Sequence, residues 1–175
     1  MANRDARITL VLGGARSGKS RHAEALVSAC APPWRYIATA EAHDDEMAAR
    51  IAEHRVRRGA DWHTVEAPRD LPDALASAAP VGAVLVDCLT LWLSNLMLAD
   101  ADIAAETARL DDALTRAVVP VVLVSNEVGL GIVPDNALAR RFRDAQGRLN
   151  QQIAARADHV VMMVAGLPLV VKGNA

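Results

Sequence analysis

The chain has 175 residues, of which 52% are hydrophobic, and its 19 Lys plus Arg against 21 Asp plus Glu leave a formal charge of -2. That length fits one compact domain, while an isoelectric point near 6.2 disfavours a protein that grips nucleic acid by neutralising many phosphates. Three Trp, one Tyr and one Phe are also poor material for stacking single-stranded bases, so no nucleic-acid partner is expected.

Taken in chain order, Ile8–Leu12 reads as a buried strand, followed by a helix over Lys19–Ala29 and a strand over Arg35–Thr39. Helices are predicted over Asp44–Arg58 and Asp70–Ala78, then a strand over Val81–Val86 and helices over Leu91–Leu98 and Ile103–Ala117. A strand over Val118–Ser125, a helix over Asn136–Ala157 and a strand over His159–Val164 complete the set, with Leu169–Lys172 as a last short strand. Most strands are continuous apolar runs, as a sheet covered on both faces requires. Their alternation with helices predicts an α/β fold with a mostly parallel sheet. Cys30 and Cys88 have no metal-ligand spacing and read as reduced thiols. The run Ile8–Leu12 is too short for a signal-peptide core, and Val160–Val171, interrupted by Gly166 and Pro168, falls short of the ~20 residues of a membrane span. A soluble, cytoplasmic protein without a membrane span is the expectation.

Gly13-Gly14-Ala15-Arg16-Ser17-Gly18-Lys19-Ser20 fits G-x-x-x-x-G-K-[ST] between a strand and a helix. Glycines let backbone N–H groups turn onto phosphate oxygens, and the helix N-terminus adds partial positive charge. In such a loop Lys19 reaches the outer phosphates and the Ser20 hydroxyl ligates Mg²⁺. A second carboxylate is wanted at a neighbouring strand end, where Asp87 stands. The alternative role for Asp87 is to cap the turn or helix that follows. Glu127 also ends a buried run, and two roles stand beside each other: positioning a hydroxyl or water, or forming an ion pair at the sheet edge. No N-K-x-D guanine-reading sequence is present, which disfavours a switch GTPase and leaves a small-molecule phosphotransferase as the economical reading.

On the segment Asp44–Arg58, acidic residues lead and basic ones trail, the order a helix dipole favours. Met47, Ile51, His54 and Arg58 would fall within about 60° of one another at helical pitch. Surrounding guanidiniums bias an imidazole towards its neutral, nucleophilic form and could stabilise phosphate charge. By sequence alone a hydrogen-bonded histidine at the border of the core is the commoner outcome for such a residue.

The chain resembles the bifunctional adenosylcobinamide kinase/adenosylcobinamide-phosphate guanylyltransferases of cobalamin biosynthesis. The matching stretches are Gly13–Ser20, Tyr36–Ala40, Asp45-Glu46-Met47 with Arg50-Ile51 and His54-Arg55, and Val86–Thr90. They continue through Asn126–Gly129, Gly131–Pro134, Arg141–Asp144 and Asn150-Gln151. The resemblance implies a single P-loop domain with a RecA-like core, assembled as a homotrimer. It implies phosphorylation of the aminopropanol hydroxyl of adenosylcobinamide with ATP or GTP, then transfer of GMP from GTP to that phosphate. The family carries the GMP on a histidine, and the matching position is His54. By the same matching, nucleotide contacts are implied for Gly13, Gly14, Ala15, Arg16, Ser17, Gly18, Lys19 and Ser20, for Ala38, Thr39 and Ala40, for Arg55, Val56, Arg57 and Arg58, and for Glu66 and Asp87. A single-function kinase and a nucleotide-binding regulatory module are the competing readings; neither predicts a covalent intermediate.

Overall fold

A computed structural model of the chain describes residues 8–41, 59–77 and 81–173. The elements run β1 (Ile8–Gly13), α1 (Lys19–Ser28), β2 (Trp34–Ala38), β3 (Trp62–Glu66), α2 (Leu71–Ala76), β4 (Ala83–Asp87), α3 (Leu89–Leu98), α4 (Ile103–Thr115), β5 (Val121–Asn126), α5 (Ala137–Arg156), β6 (His159–Val164) and β7 (Leu167–Lys172). The predicted helix Asp44–Arg58, with His54, lies outside the described residues.

The seven strands form one sheet in the order β3-β2-β4-β5-β1-β6-β7. Every pairing is parallel except that of β7, which folds back antiparallel on β6. Alternate side chains leave opposite faces of a strand, and the core divides accordingly. Leu10, Ile37, Val84, Val86, Val121 and Leu123 pack on one face with Leu71, Trp92, Leu110, Leu149 and Ile153 of α2 to α5. Val11, Tyr36, Leu85, Val122, Val124 and Met163 pack on the other with Ala23 and Val27 of α1. This is why the central strands read as unbroken apolar runs.

The expected strand at Val118–Ser125 begins later, at Val121, because Pro120 has no N–H to give to a ladder and Val118 is exposed. The helix expected from Leu91 begins at Leu89, directly after the N-cap residue Cys88. The strand β3 is an addition to the predicted set. Its sequence Trp-His-Thr-Val-Glu has no apolar run because it pairs on one side only, with β2, and exposes His63, Thr64 and Glu66. Its enrichment in β-formers, Trp62, Thr64 and Val65, is the signal that marks it.

Candidate active site

Parallel strands bring their C-terminal ends to one edge of a sheet, and ligands of open α/β folds bind there. On this edge Glu66, Ala38 and Asp87 stand at one level on β3, β2 and β4, and Gly13 faces Asn126 across β1 and β5. Every described residue expected to touch nucleotide is on this edge or immediately beyond it.

The phosphate loop is built by backbone demands that only glycine meets at two positions. Gly13 has φ 154°, and a Cβ there would lie 2.6 Å from Ser17 Oγ and 2.8 Å from the Met163 carbonyl oxygen. Gly18, at φ 93°, caps α1 in the left-handed region, and its carbonyl accepts the N–H of His22, starting the helix. Lys19 is only 8% exposed and folds back to donate from Nζ to the Gly14 carbonyl. Burial pulls its pKa below the ordinary lysine value of 10.5, while the nearby Cys88 and Asp87 act in the opposite direction. The Ser17 hydroxyl is buried with no hydrogen-bond partner among the described residues. An orphaned donor two residues before a buried lysine, at the N-terminus of α1, suits an anion.

Asp87 closes β4 two strands from β1. Its Oδ2 accepts from the Tyr36 hydroxyl at 3.1 Å, and the N-cap of α3 is Cys88, so Asp87 is held by a neighbouring strand instead of capping the helix behind it. Cys88 is buried, and burial with the charge of Asp87 pushes its thiol up to about 11, leaving it neutral. Thr39 donates from Oγ1 to the Cys88 carbonyl at 2.7 Å and accepts its N–H at 2.8 Å. Asn95 Nδ2 donates to the Thr39 carbonyl at 2.8 Å and to that of Pro68 at 3.0 Å. Thr39 is therefore a keystone between β2 and β4, and its backbone carbonyl is already engaged.

The structure thus places Gly13 to Ser20 at the end of β1, Ala38 to Ala40 at the end of β2 and Asp87 at the end of β4, all on one edge of the sheet, with Glu66 at its far side. His54 and Arg55 to Arg58 lie outside the described residues. Tyr36 opens one of the matching stretches, but its bond to Asp87 and the part played by Asn95 escape a reading of the sequence by motif. Tyr36 is one aromatic in a strand, and Asn95 is visible only as the lone amide in the apolar run Leu89–Leu98.

A strand that ends in a phosphate loop, a buried loop lysine and a carboxylate that ends the next strand but one make this a P-loop nucleotide-binding core. A solved structure titled as the RadB recombinase shares the fold with a TM-score of 0.51 at 15% identity, covering 89% of this chain and 73% of that one.

The chain belongs to the family described as cobinamide kinase/cobinamide phosphate guanyltransferase, whose model matches residues 9–171. It is 51% identical to the bifunctional adenosylcobalamin biosynthesis protein CobP of Pseudomonas aeruginosa, over 94% of this chain and 97% of the relative. It is 48% identical to the corresponding protein CobU of Salmonella typhimurium, over 93% of this chain and 98% of the relative. The enzyme class is that of the family, a kinase and guanylyltransferase of adenosylcobalamin biosynthesis.

Proposed function

We propose that the chain phosphorylates adenosylcobinamide on its aminopropanol hydroxyl with ATP or GTP and then attaches GMP from GTP to that phosphate, the GMP travelling on His54. The observation that carries the reading is the orphaned Ser17 hydroxyl two residues before buried Lys19, within a chain matched to the family over residues 9–171. In both steps a nucleoside triphosphate lies with its outer phosphates on Gly13 to Ser20. For γ-transfer the loop holds the reacting phosphate; for GMP transfer it holds the departing pyrophosphate. One phosphate cradle serves both steps by a shift of the reacting phosphorus.

Ala38, Thr39, Ala40 and Glu66 continue the same strand-end row and are proposed to meet the remainder of the nucleotide, together with Arg55, Val56, Arg57 and Arg58. At ~4.8 Å between strands, β3 is about 19 Å from β1, a distance suited to an extended nucleotide and its acceptor but not to direct phosphate contact with Glu66. Neutral His54 would attack the α-phosphorus, forming a phosphoramidate that divides one displacement into two. Ser20 and Asp87 are hard oxygen donors fit for Mg²⁺, which when bound supplies positive charge against the triphosphate. Asp87 keeps that fit because Tyr36 engages only its Oδ2.

Adenosylcobinamide and its phosphate are the partners of the reaction, and nucleic acid is not. A cytoplasmic homotrimer is the proposed working form. Among the described residues no helix is long and apolar enough to cross a membrane. Support for self-association comes from β7, an edge strand exposed along its whole length that presents Leu167, Leu169 and Val171.

Incubating the protein with adenosylcobinamide, Mg²⁺ and either nucleotide, with chromatography of the corrinoid, tests this reading. With GTP the phosphorylated and GDP-linked products should appear in sequence, with ATP alone only the phosphorylated one, and all should vanish in Lys19→Ala. Unchanged corrinoid with the intact protein would refute it.

A further inference from the structure

The strand β5 lies between β1, which ends in the phosphate loop, and β4, which ends in Asp87. Whatever follows β5 therefore sits between the two halves of the phosphate site. The first residue after it is Glu127, whose N–H donates to the carbonyl of Gly13 at 3.1 Å. The backbone just before it is pinned by two helices, α3 and α5, packed on the same face of the sheet. The N–H of Asn126 donates to Thr90 Oγ1 at 2.8 Å, and its carbonyl accepts from Asn150 Nδ2 at 3.0 Å. Asn150 in turn accepts from Ser125 Oγ at 2.7 Å and from Gln146 Nε2 at 3.0 Å, all buried. Such support fixes a strand end to within the tolerance a reacting group needs.

The Glu127 side chain is itself oriented. Its Oε1 accepts the N–H of Gly129 at 2.6 Å, while its Oε2 has no partner among the described residues. The two other carboxylates that end strands on this edge among the described residues are worse placed to meet an acceptor at the terminal phosphate. Asp87 is engaged by Tyr36 and is a proposed metal ligand. Glu66 is four strands from β1, about 19 Å at ~4.8 Å per strand.

We infer that Glu127 is the catalytic base of the phosphorylation step, receiving on Oε2 the proton of the attacking alcohol; this rests on the two-step function proposed above. In that step the alcohol oxygen forms a bond to the γ-phosphorus and the bond from that phosphorus to the β,γ-bridging oxygen breaks. Its electron pair stays on the nucleoside diphosphate, and the alcohol proton passes to Glu127 and then to water. The guanylyl step makes no such demand. Its nucleophiles, a neutral imidazole and then a phosphate oxygen, carry a lone pair without first losing a proton at neutral pH. Glu127 thus divides the two activities that the shared phosphate loop unites.

The test is Glu127→Gln, which keeps an oxygen for the Gly129 N–H but removes the base, alongside Glu127→Asp. Each half-reaction is followed separately: phosphorylation of adenosylcobinamide, and conversion of supplied adenosylcobinamide phosphate with GTP. In E127Q the kcat for phosphorylation should fall on the order of 100-fold, in the range of a lost general base, with KM for nucleotide unmoved. Conversion of the supplied phosphate should continue at the unsubstituted rate, which also certifies the fold. E127D should recover part of the phosphorylation. Equal losses in both half-reactions would overturn the assignment and make Glu127 a prop for its loop, and undiminished phosphorylation in E127Q would overturn it outright. If the unsubstituted enzyme phosphorylates nothing, the underlying two-step reading falls, and the inference with it.

Discussion

Lys19 shows how one side chain is prepared for phosphate before any arrives. Its ammonium is buried and spends one N–H on the Gly14 carbonyl, and burial lowers its pKa from 10.5. A group with a depressed lysine pKa loses its proton at lower pH than a free lysine, so attraction for triphosphate should weaken as pH rises, with a midpoint below 10.5. Titrating nucleotide affinity by calorimetry between neutral and alkaline pH checks this; Lys19→Arg should flatten the profile, because a guanidinium stays charged throughout. At Gly13 the constraint is steric. An alanine Cβ would meet the Met163 carbonyl oxygen at 2.8 Å, so Gly13→Ala should cost about 2 kcal/mol by overpacking. That corresponds to a Tm lower by roughly 4–8 °C for a chain of this size, readable by calorimetry, together with loss of nucleotide binding.

Among the elements, α3 does the most to organise the edge. Trp92 is fully buried, and its Nε1 donates to the Arg69 carbonyl at 2.8 Å. One helical turn on, Asn95 donates to the carbonyls of Pro68 and Thr39. The helix therefore ties down the chain where it leaves β2 and where it leaves β3, on either side of the segment that includes His54. Asn95→Ala would leave two inward-facing carbonyls unpaired, and a loss of about 2–4 kcal/mol is expected in urea unfolding, since each buried unsatisfied group costs about 1–3 kcal/mol. Such long-range polar ties were hidden in the sequence, where Asn95 is only an interruption in Leu-Thr-Leu-Trp-Leu-Ser-Asn-Leu-Met-Leu. The phosphate loop, by contrast, was readable to the residue, because glycine freedom, lysine placement and a helix start are local properties. So were the central strands, whose two buried faces leave a continuous apolar record. The strand β3 left none, being half-covered at an edge, and the offset start of β5 came from a single proline. The likeness of sequence supplied what spacing alone could not, the role assigned to His54.

At the scale of the whole molecule, the sheet has two unlike margins. The β3 margin is polar, whereas β7 turns Leu167, Leu169 and Val171 outward, each more than half exposed. Light scattering should give about three times the 18.6 kDa of one chain, and Leu169→Glu should shift the mass towards a single chain, since a charge in a buried apolar contact is costly. In the proposed function the phosphate loop on the row of strand ends from Gly13 to Glu66 serves two chemistries, and a covalent carrier on His54 separates them. The most direct measurement of that claim is incubation with GTP labelled at the α-phosphorus, followed by denaturing electrophoresis. The account predicts label on the polypeptide that survives alkali, is released by acid and is absent from His54→Ala. Product formation by a protein that never acquires label, or equal labelling of His54→Ala, would contradict it.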